Sequence, residues 1–120
     1  MRKCHWCRDW LALDKFSRFK EGLGSTCKDC RVPSKYGMSR HDWLALFLNQ
    51  GKSCAACGET EPSGQRPWHI DHDHRCCSRK GSCGQCVRAI LCAPCNLTLG
   101  HAKEDPYRLI SLAHYAKRVA

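Results

Sequence analysis

Three histidines and two aspartates fall within six consecutive residues, His69-Ile70-Asp71-His72-Asp73-His74. An ordinary solvated surface has no need of so many metal- and proton-handling groups. Two chemistries suit them. Either they ligate a structural zinc, or a carboxylate holds a hard divalent cation while an imidazole activates water. Cysteine is the second unusual feature: 12 in 120 residues, a level at which cross-linking by disulfide or metal is the default. Five CxxC pairs occur, Cys4/Cys7, Cys27/Cys30, Cys54/Cys57, Cys83/Cys86 and Cys92/Cys95, together with the adjacent Cys76 and Cys77. Arg2, Lys3 and Cys4 have no apolar stretch behind them, so no secretory signal is visible and a reducing compartment is expected. There, paired cysteines hold metal more often than they form disulfides.

Cys7 and Cys27 are separated by 19 residues, a spacing that suits a two-knuckle zinc site. Residues 1–31 therefore read as an N-terminal zinc finger or ribbon, with Trp10, Leu11, Phe16 and Phe19 as its few apolar groups. Cys54/Cys57 and Cys92/Cys95 supply four more thiolates and leave the Asp/His run available for other work. The 34 residues between those pairs exceed an ordinary ribbon spacing. Pairing Cys54/Cys57 with Cys83/Cys86 is the alternative. Cys76, Cys77, Cys83 and Cys86 fit a third zinc site, a disulfide, or a site that uses three of the four.

The elements around these groups follow from local signals. Residues 31–38 contain Pro33 and Gly37 and read as a linker. Ser39 is a good N-cap with Asp42 three residues on, and Trp43, Leu46 and Phe47 follow at helical spacing up to Gln50 and Gly51. Short strands are expected around 67–71 and 87–91. Asp105–Pro106 reads as a helix start, followed by the apolar stripe Leu109, Leu112, Ala113 and Ala116. The domain division is a finger at 1–31, a linker and helix at 32–52, and a third unit at 53–120 that holds the Asp/His run.

Composition excludes several classes. The longest apolar run, Trp43 to Leu48, is too short to cross a bilayer. Lys and Arg number 20 against 11 Asp and Glu, a formal charge of +9, which favours a polyanionic partner. Each four-thiolate zinc site carries a charge of −2, so two would lower the total to about +5 and three to about +3. Charge alone is thus weak evidence for nucleic acid.

The segments CAAC (54–57), HIDHDH (69–74) and VRAILCAPCNLTLG (87–100) together resemble the core of the phage recombination endonuclease VII family, a branch of the HNH or ββα-metal nucleases. Ala89 stands where that family usually has glycine, the cysteine-rich loop 75–86 replaces a short turn, and no long helical dimerisation region is visible. The resemblance implies a small zinc-stabilised α+β fold with a ββα-metal core, an N-terminal finger and flanking helices. It implies a DNA endonuclease in which Asp71 and Asn96 hold Mg²⁺ or another divalent ion and His72 is the general base. His74 would orient the scissile phosphate or brace the metal, and His69 is read as a structural histidine beside the zinc knuckle. A neutral imidazole suits the base role, because it titrates near ~6.5 in water. Arg88 is either a bidentate phosphate clamp or a surface arginine. Two structural Zn²⁺ ions are expected, with a third at Cys76/Cys77/Cys83/Cys86 as the open case.

DNA, duplex or branched, would be held mostly through phosphates by Arg2, Lys3, Arg8, Lys20, Arg75, Arg79 and Lys80, with little sequence reading. A homodimer or a phage protein partner is compatible with this reading. A phage or prophage origin would place the protein in a bacterial host's cytoplasm. The alternative function is a non-catalytic zinc module that binds nucleic acid or a protein. Such a module has no use for a carboxylate in a phosphate-facing groove. A zinc hydrolase of small substrates is weaker still, since no HExxH helix is present. In a regular strand Asp71 and His72 would face opposite ways. Irregular backbone is therefore expected at 71–73.

Overall fold

The structure is a computed structural model and describes residues 1–76 and 83–119. Its N-terminal part is a stack of two hairpins. Strand β1 (Arg2–Lys3) pairs antiparallel with β2 (Trp10–Leu11), and β3 (Phe16–Phe19) with β4 (Gly22–Cys27). The one large apolar side chain buried here is Phe16, packed against Cys4, Cys27 and Cys30 with Leu11 and Leu23 at its edge. So small a core offers little hydrophobic driving force, and the cysteines themselves make up much of it.

Helix α1 (Lys28–Ser34) starts directly after Cys27 and places Cys30 in its first turn. The linker expected from residue 31 thus begins four residues late, at Lys35, and the helix crosses the boundary set at 31/32. Pro33 lies in its last turn, buried, and its carbonyl accepts from the N–H groups of Tyr36 (2.9 Å) and Met38 (3.0 Å). The local breaker signal was overridden because that turn ends the helix anyway. Helix α2 (Arg40–Asn49) opens with the reciprocal cap read from sequence, Asp42 N–H to the Ser39 hydroxyl and Ser39 N–H to the Asp42 carboxylate.

The finger is fastened to the start of α2. Trp6 Nε1 donates to the Met38 carbonyl at 2.6 Å, and Arg40 and His41 both meet the Asp9 carboxylate. Hydrogen bonds from those two partners hold Asp9 below the usual carboxylate range. In α2, Trp43 stacks on Phe47, whose ring meets Trp68 edge-on at 4.8 Å.

Strand β5 (Trp68–His72) pairs antiparallel with β6 (Val87–Cys92), and β6 leads straight into α3 (Ala93–His101), with Pro94 in its first turn. This β5–β6–α3 unit is the ββα order the sequence suggested. Its core is Cys54, Leu91 and Cys92 with Trp68, Cys95 and Leu99 against them, flanked by the buried Ile70 and Ile90. Among the described residues the whole is a small α+β protein of four α-helices and three two-stranded sheets.

Gln50 covers an edge of that unit. Its side-chain oxygen accepts from Ile90 N–H (2.8 Å), and its nitrogen donates to the carbonyls of Ile90 (2.8 Å) and Ser53 (3.0 Å). Ile90 is 0% exposed, so these backbone groups would otherwise be buried without enough partners. Gln50→Ala is expected to lower the stability of the metal-loaded protein by ~1–3 kcal/mol, measured by urea unfolding. A loss below ~0.5 kcal/mol, the level of an ordinary surface change, would contradict this role.

Helix α4 (Pro106–Val119) begins as expected, with Asp105 Oδ1 accepting from Tyr107 N–H at 3.0 Å. Of its apolar stripe, Leu109 is half-buried, whereas Leu112, Ala113 and Ala116 are exposed, and the helix follows a turn at Lys103 and Glu104. Both of those residues have positive φ.

Candidate metal centres and active-site cleft

Two of the cysteine groupings assemble as read. The ligand sulfurs of Cys4, Cys7, Cys27 and Cys30 lie within 4.8 Å of one another, as do those of Cys54, Cys57, Cys92 and Cys95. The pairing of Cys54/Cys57 with Cys92/Cys95 holds over the alternative with Cys83/Cys86. Both leading knuckles close alike. Arg8 N–H donates to the Cys4 carbonyl and Gly58 N–H to the Cys54 carbonyl, each at 2.9 Å, with Arg8 and Gly58 in the left-handed region.

Backbone N–H groups point at the sulfurs, including Cys27 N–H on Cys4 Sγ at 3.3 Å and Arg40 N–H on Cys30 Sγ at 3.3 Å. Burial opposes ionisation of Cys4, but N–H donors from Cys27, Cys7 and Trp6 outweigh it and bring the thiol to about 6. Cys54 is likewise brought to about 6 against its burial, by N–H groups of Cys57, Cys92 and Ala56. Burial and neighbouring sulfurs push Cys30 and Cys95 far up. A cluster that pairs one ready thiolate with a thiol held back by burial is a donor set that a divalent cation completes. The fit to zinc is good at both. Arg40, between Asp9 and Cys7, places a guanidinium beside the first cluster.

The Asp/His run lies on β5 where the strand fails. The register with β6 shifts between Asp71 and His72, with Asp71 opposite Ala89 but His72 opposite Val87, and the strand stops at His72. Asp71 is 8% exposed, the one buried charged side chain among the described residues. It is not left unpaired. Arg88 Nε donates to Oδ2 at 2.8 Å and Nη2 to Oδ1 at 3.0 Å, and Nη2 also reaches Glu104 Oε1. The two carboxylates, Asp71 first, raise the guanidinium's affinity for its proton. The Arg88 fork, read as either a phosphate clamp or a surface arginine, faces two carboxylates, because a buried carboxylate requires a counter-charge.

On α3, Asn96 Nδ2 meets His69 Nδ1 at 2.9 Å. As a donor to the ring, the amide nitrogen is occupied, and the carbonyl oxygen remains as the atom that would ligate a hard ion. The His69 ring thus meets the Asn96 amide directly. Asp71, His74 and Asn96 line one cleft of about 380 Å³, with His101, Glu104 and the end of α3 as its other wall. His72 is not on that lining. Its ring centroid lies 4.4 Å from that of His74 and 5.2 Å from that of Tyr36. An acidic oxygen and an amide in one open cleft, with imidazoles at its rim, fit a hard divalent ion with room for water and phosphate.

The third cysteine group is present in part. Cys76 and Cys86 are joined as a disulfide, one of the readings left open above, and Cys83 lies beside them. Cys77 is outside the described residues, as are Arg79 and Lys80. Sequence reasoning missed Glu104, His101 and Tyr36. Nothing in their spacing marks them. Glu104 could be sought only once Arg88 was seen to face a carboxylate.

The recombination endonuclease VII family model matches residues 29–118, three-quarters of the chain, and the chain belongs to that family. Membership points to a nuclease. Two phage proteins are similar: the Gene 59 protein of Mycobacterium phage D29, 30% identical over 72% of this chain and 47% of its own length, and that of Mycobacterium phage L5, 29% identical over 72% and 48%. The chain spans about half the length of these curated relatives. Among solved structures, the ββα-Me type II restriction endonuclease Hpy99I matches 98% of this chain and 65% of its own, at 22% identity and a TM-score of 0.38, a likeness too distant to bear on the fold. No helix among the described residues is long and apolar enough to cross a membrane.

Proposed function

We propose that this protein is a divalent-metal-dependent DNA endonuclease that hydrolyses phosphodiester bonds, leaving a 5′ phosphate and a 3′ hydroxyl. The observation that carries the reading is the convergence of Asp71, His74 and Asn96 on one cleft beside the slipped end of β5. Asp71 and Asn96 are the residues that would hold Mg²⁺ or a similar ion. When bound, the ion offsets negative charge on the scissile phosphate and the leaving oxygen. Arg88 fixes the Asp71 carboxylate, and His69 fixes the Asn96 amide, so both oxygen donors are oriented before substrate arrives. His72 takes the proton from the attacking water, and His74, its ring tilted against that of His72, orients the phosphate from the cleft wall.

Two structural zinc ions, on Cys4/Cys7/Cys27/Cys30 and Cys54/Cys57/Cys92/Cys95, shape the scaffold. The division into a finger at 1–31, a connector at 32–52 and a nuclease unit at 53–120 belongs to the same reading. The finger lends basic residues to duplex or branched DNA, contacts that are sensitive to salt and nearly indifferent to sequence. Self-association and a phage protein partner remain compatible with this reading.

Zinc-loaded wild-type protein is expected to nick supercoiled plasmid in Mg²⁺ and to be inactive when Mg²⁺ is left out with the zinc retained. Protein that binds DNA but is inert under Mg²⁺, Mn²⁺ and every other divalent ion tested is instead a binding module.

A further inference from the structure

The proposed cleavage chemistry draws on no cysteine of the segment after His74, yet that segment is built onto residues the chemistry does use. Asp73, between the two histidines, donates its N–H to the Cys86 carbonyl at 2.8 Å, and its own carbonyl accepts from Cys76 N–H at 3.1 Å. Gly37 lies directly on Cys83 and Gly84. A Cβ added at Gly37 would come within 2.6 Å of the Cys83 carbonyl carbon, and both glycines have positive φ (+71° and +94°). The adjoining Tyr36 is the residue whose ring meets His72. Cys76, Cys83 and Cys86 are therefore the anchor that sets the ends of β5 and β6 and the connector against one another.

Their sulfurs converge more than a single bridge requires. Beside the Cys76–Cys86 bond, Cys83 Sγ lies 3.5 Å from Cys86 Sγ and 3.9 Å from Cys76 Sγ, and the three together lie within 4.8 Å. Cys86 is 3% exposed. That is the same gathering of soft donors seen at the two four-cysteine clusters, on a loop with almost no apolar side chains to hold it.

We propose that Cys76, Cys83 and Cys86 are the thiolate ligands of a third zinc ion, which fixes the edge carrying His72 and His74. Three thiolates leave one of zinc's four positions for a further donor. The disulfide and the metal-bound form differ by two electrons. A dithiol reductant passes two electrons and two protons to the Cys76–Cys86 bond and closes to its own disulfide. Zinc then takes the place of the protons on the three released or standing thiols.

The test is metal stoichiometry, which does not depend on cleavage and so stands or falls apart from the nuclease reading. Protein purified anaerobically with a dithiol and zinc, then freed of loose metal, is measured for zinc per chain by plasma mass spectrometry. Wild type is expected to hold three ions, Cys83→Ser two, and Asp71→Asn three. Two ions in wild type, with Cys76 and Cys86 protected from alkylation as a bridge, overturns the proposal. So does a third ion that survives Cys83→Ser or disappears with Asp71→Asn. If Cys83→Ser does not fold, the wild-type and Asp71→Asn counts decide alone.

Discussion

Cys54→Ser is expected to leave the protein unfolded under conditions where wild type is fully folded, and a strong chelator is expected to do the same to wild type. The reason lies in what Cys54 joins. With Cys57 it forms a knuckle that meets the β6–α3 junction through Cys92, Cys95 and Leu91 and through one backbone bond, Ala55 N–H to the Ile90 carbonyl. Cys57 Sγ is 3.7 Å from Cys92 Sγ, so without a cation the sulfurs crowd one another, and burial and neighbouring sulfurs oppose ionisation of Cys95. Structural zinc in small domains is worth ~10–16 kcal/mol, whereas a whole domain is typically stable by only ~5–15 kcal/mol. A serine hydroxyl is a poor ligand at this position, and the loss cannot be absorbed elsewhere. Ile70, Ile90 and Leu91 are the large apolar side chains buried in this half among the described residues. Far-UV circular dichroism with a zinc measurement checks it. A Cys54→Ser protein that melts within a few degrees of wild type would show that apolar packing, not metal, holds the ββα unit together.

What could be read from the chain and what could not divides by the range of the interaction. The Ser39/Asp42 cap and the Asp105–Pro106 start are decided by atoms within a few residues, and both formed. The spacing of the knuckles marked two thiolate clusters, and topology chose between the possible partners of Cys54/Cys57. The alternation rule implied that Asp71 and His72 could share a site only if the strand slipped, and the register does slip there. Arg88 shows the limit. Its sequence neighbourhood carries no sign of Glu104, 16 residues on, or of the burial that forces it onto Asp71. Gln50 read as the polar end of a helix face, because its partner Ile90 is 40 residues distant. The stripe on α4 is legible as a pattern, but a pattern does not say what covers it.

His72→Ala and Asp71→Asn are each expected to lower Mg²⁺-dependent nicking by ~10²–10⁴ fold, the usual contribution of a positioned base or of metal-borne charge stabilisation. Neither should unfold the protein. His72 is half-buried at a strand end, and in Asp71→Asn the Arg88 guanidinium keeps Glu104 as its partner. The two losses differ in kind. Without the imidazole, hydroxide can do its work, so the residual rate of His72→Ala should climb with pH. Asp71→Asn lacks the charge that holds the ion, and no rise in pH restores it. His74→Ala separates the two imidazoles, since it is His74 and not His72 that lines the cleft. Should His74→Ala cost more than His72→Ala and show the same rescue by hydroxide, the base is His74, and His72 is the ring that braces it between Tyr36 and the cleft wall.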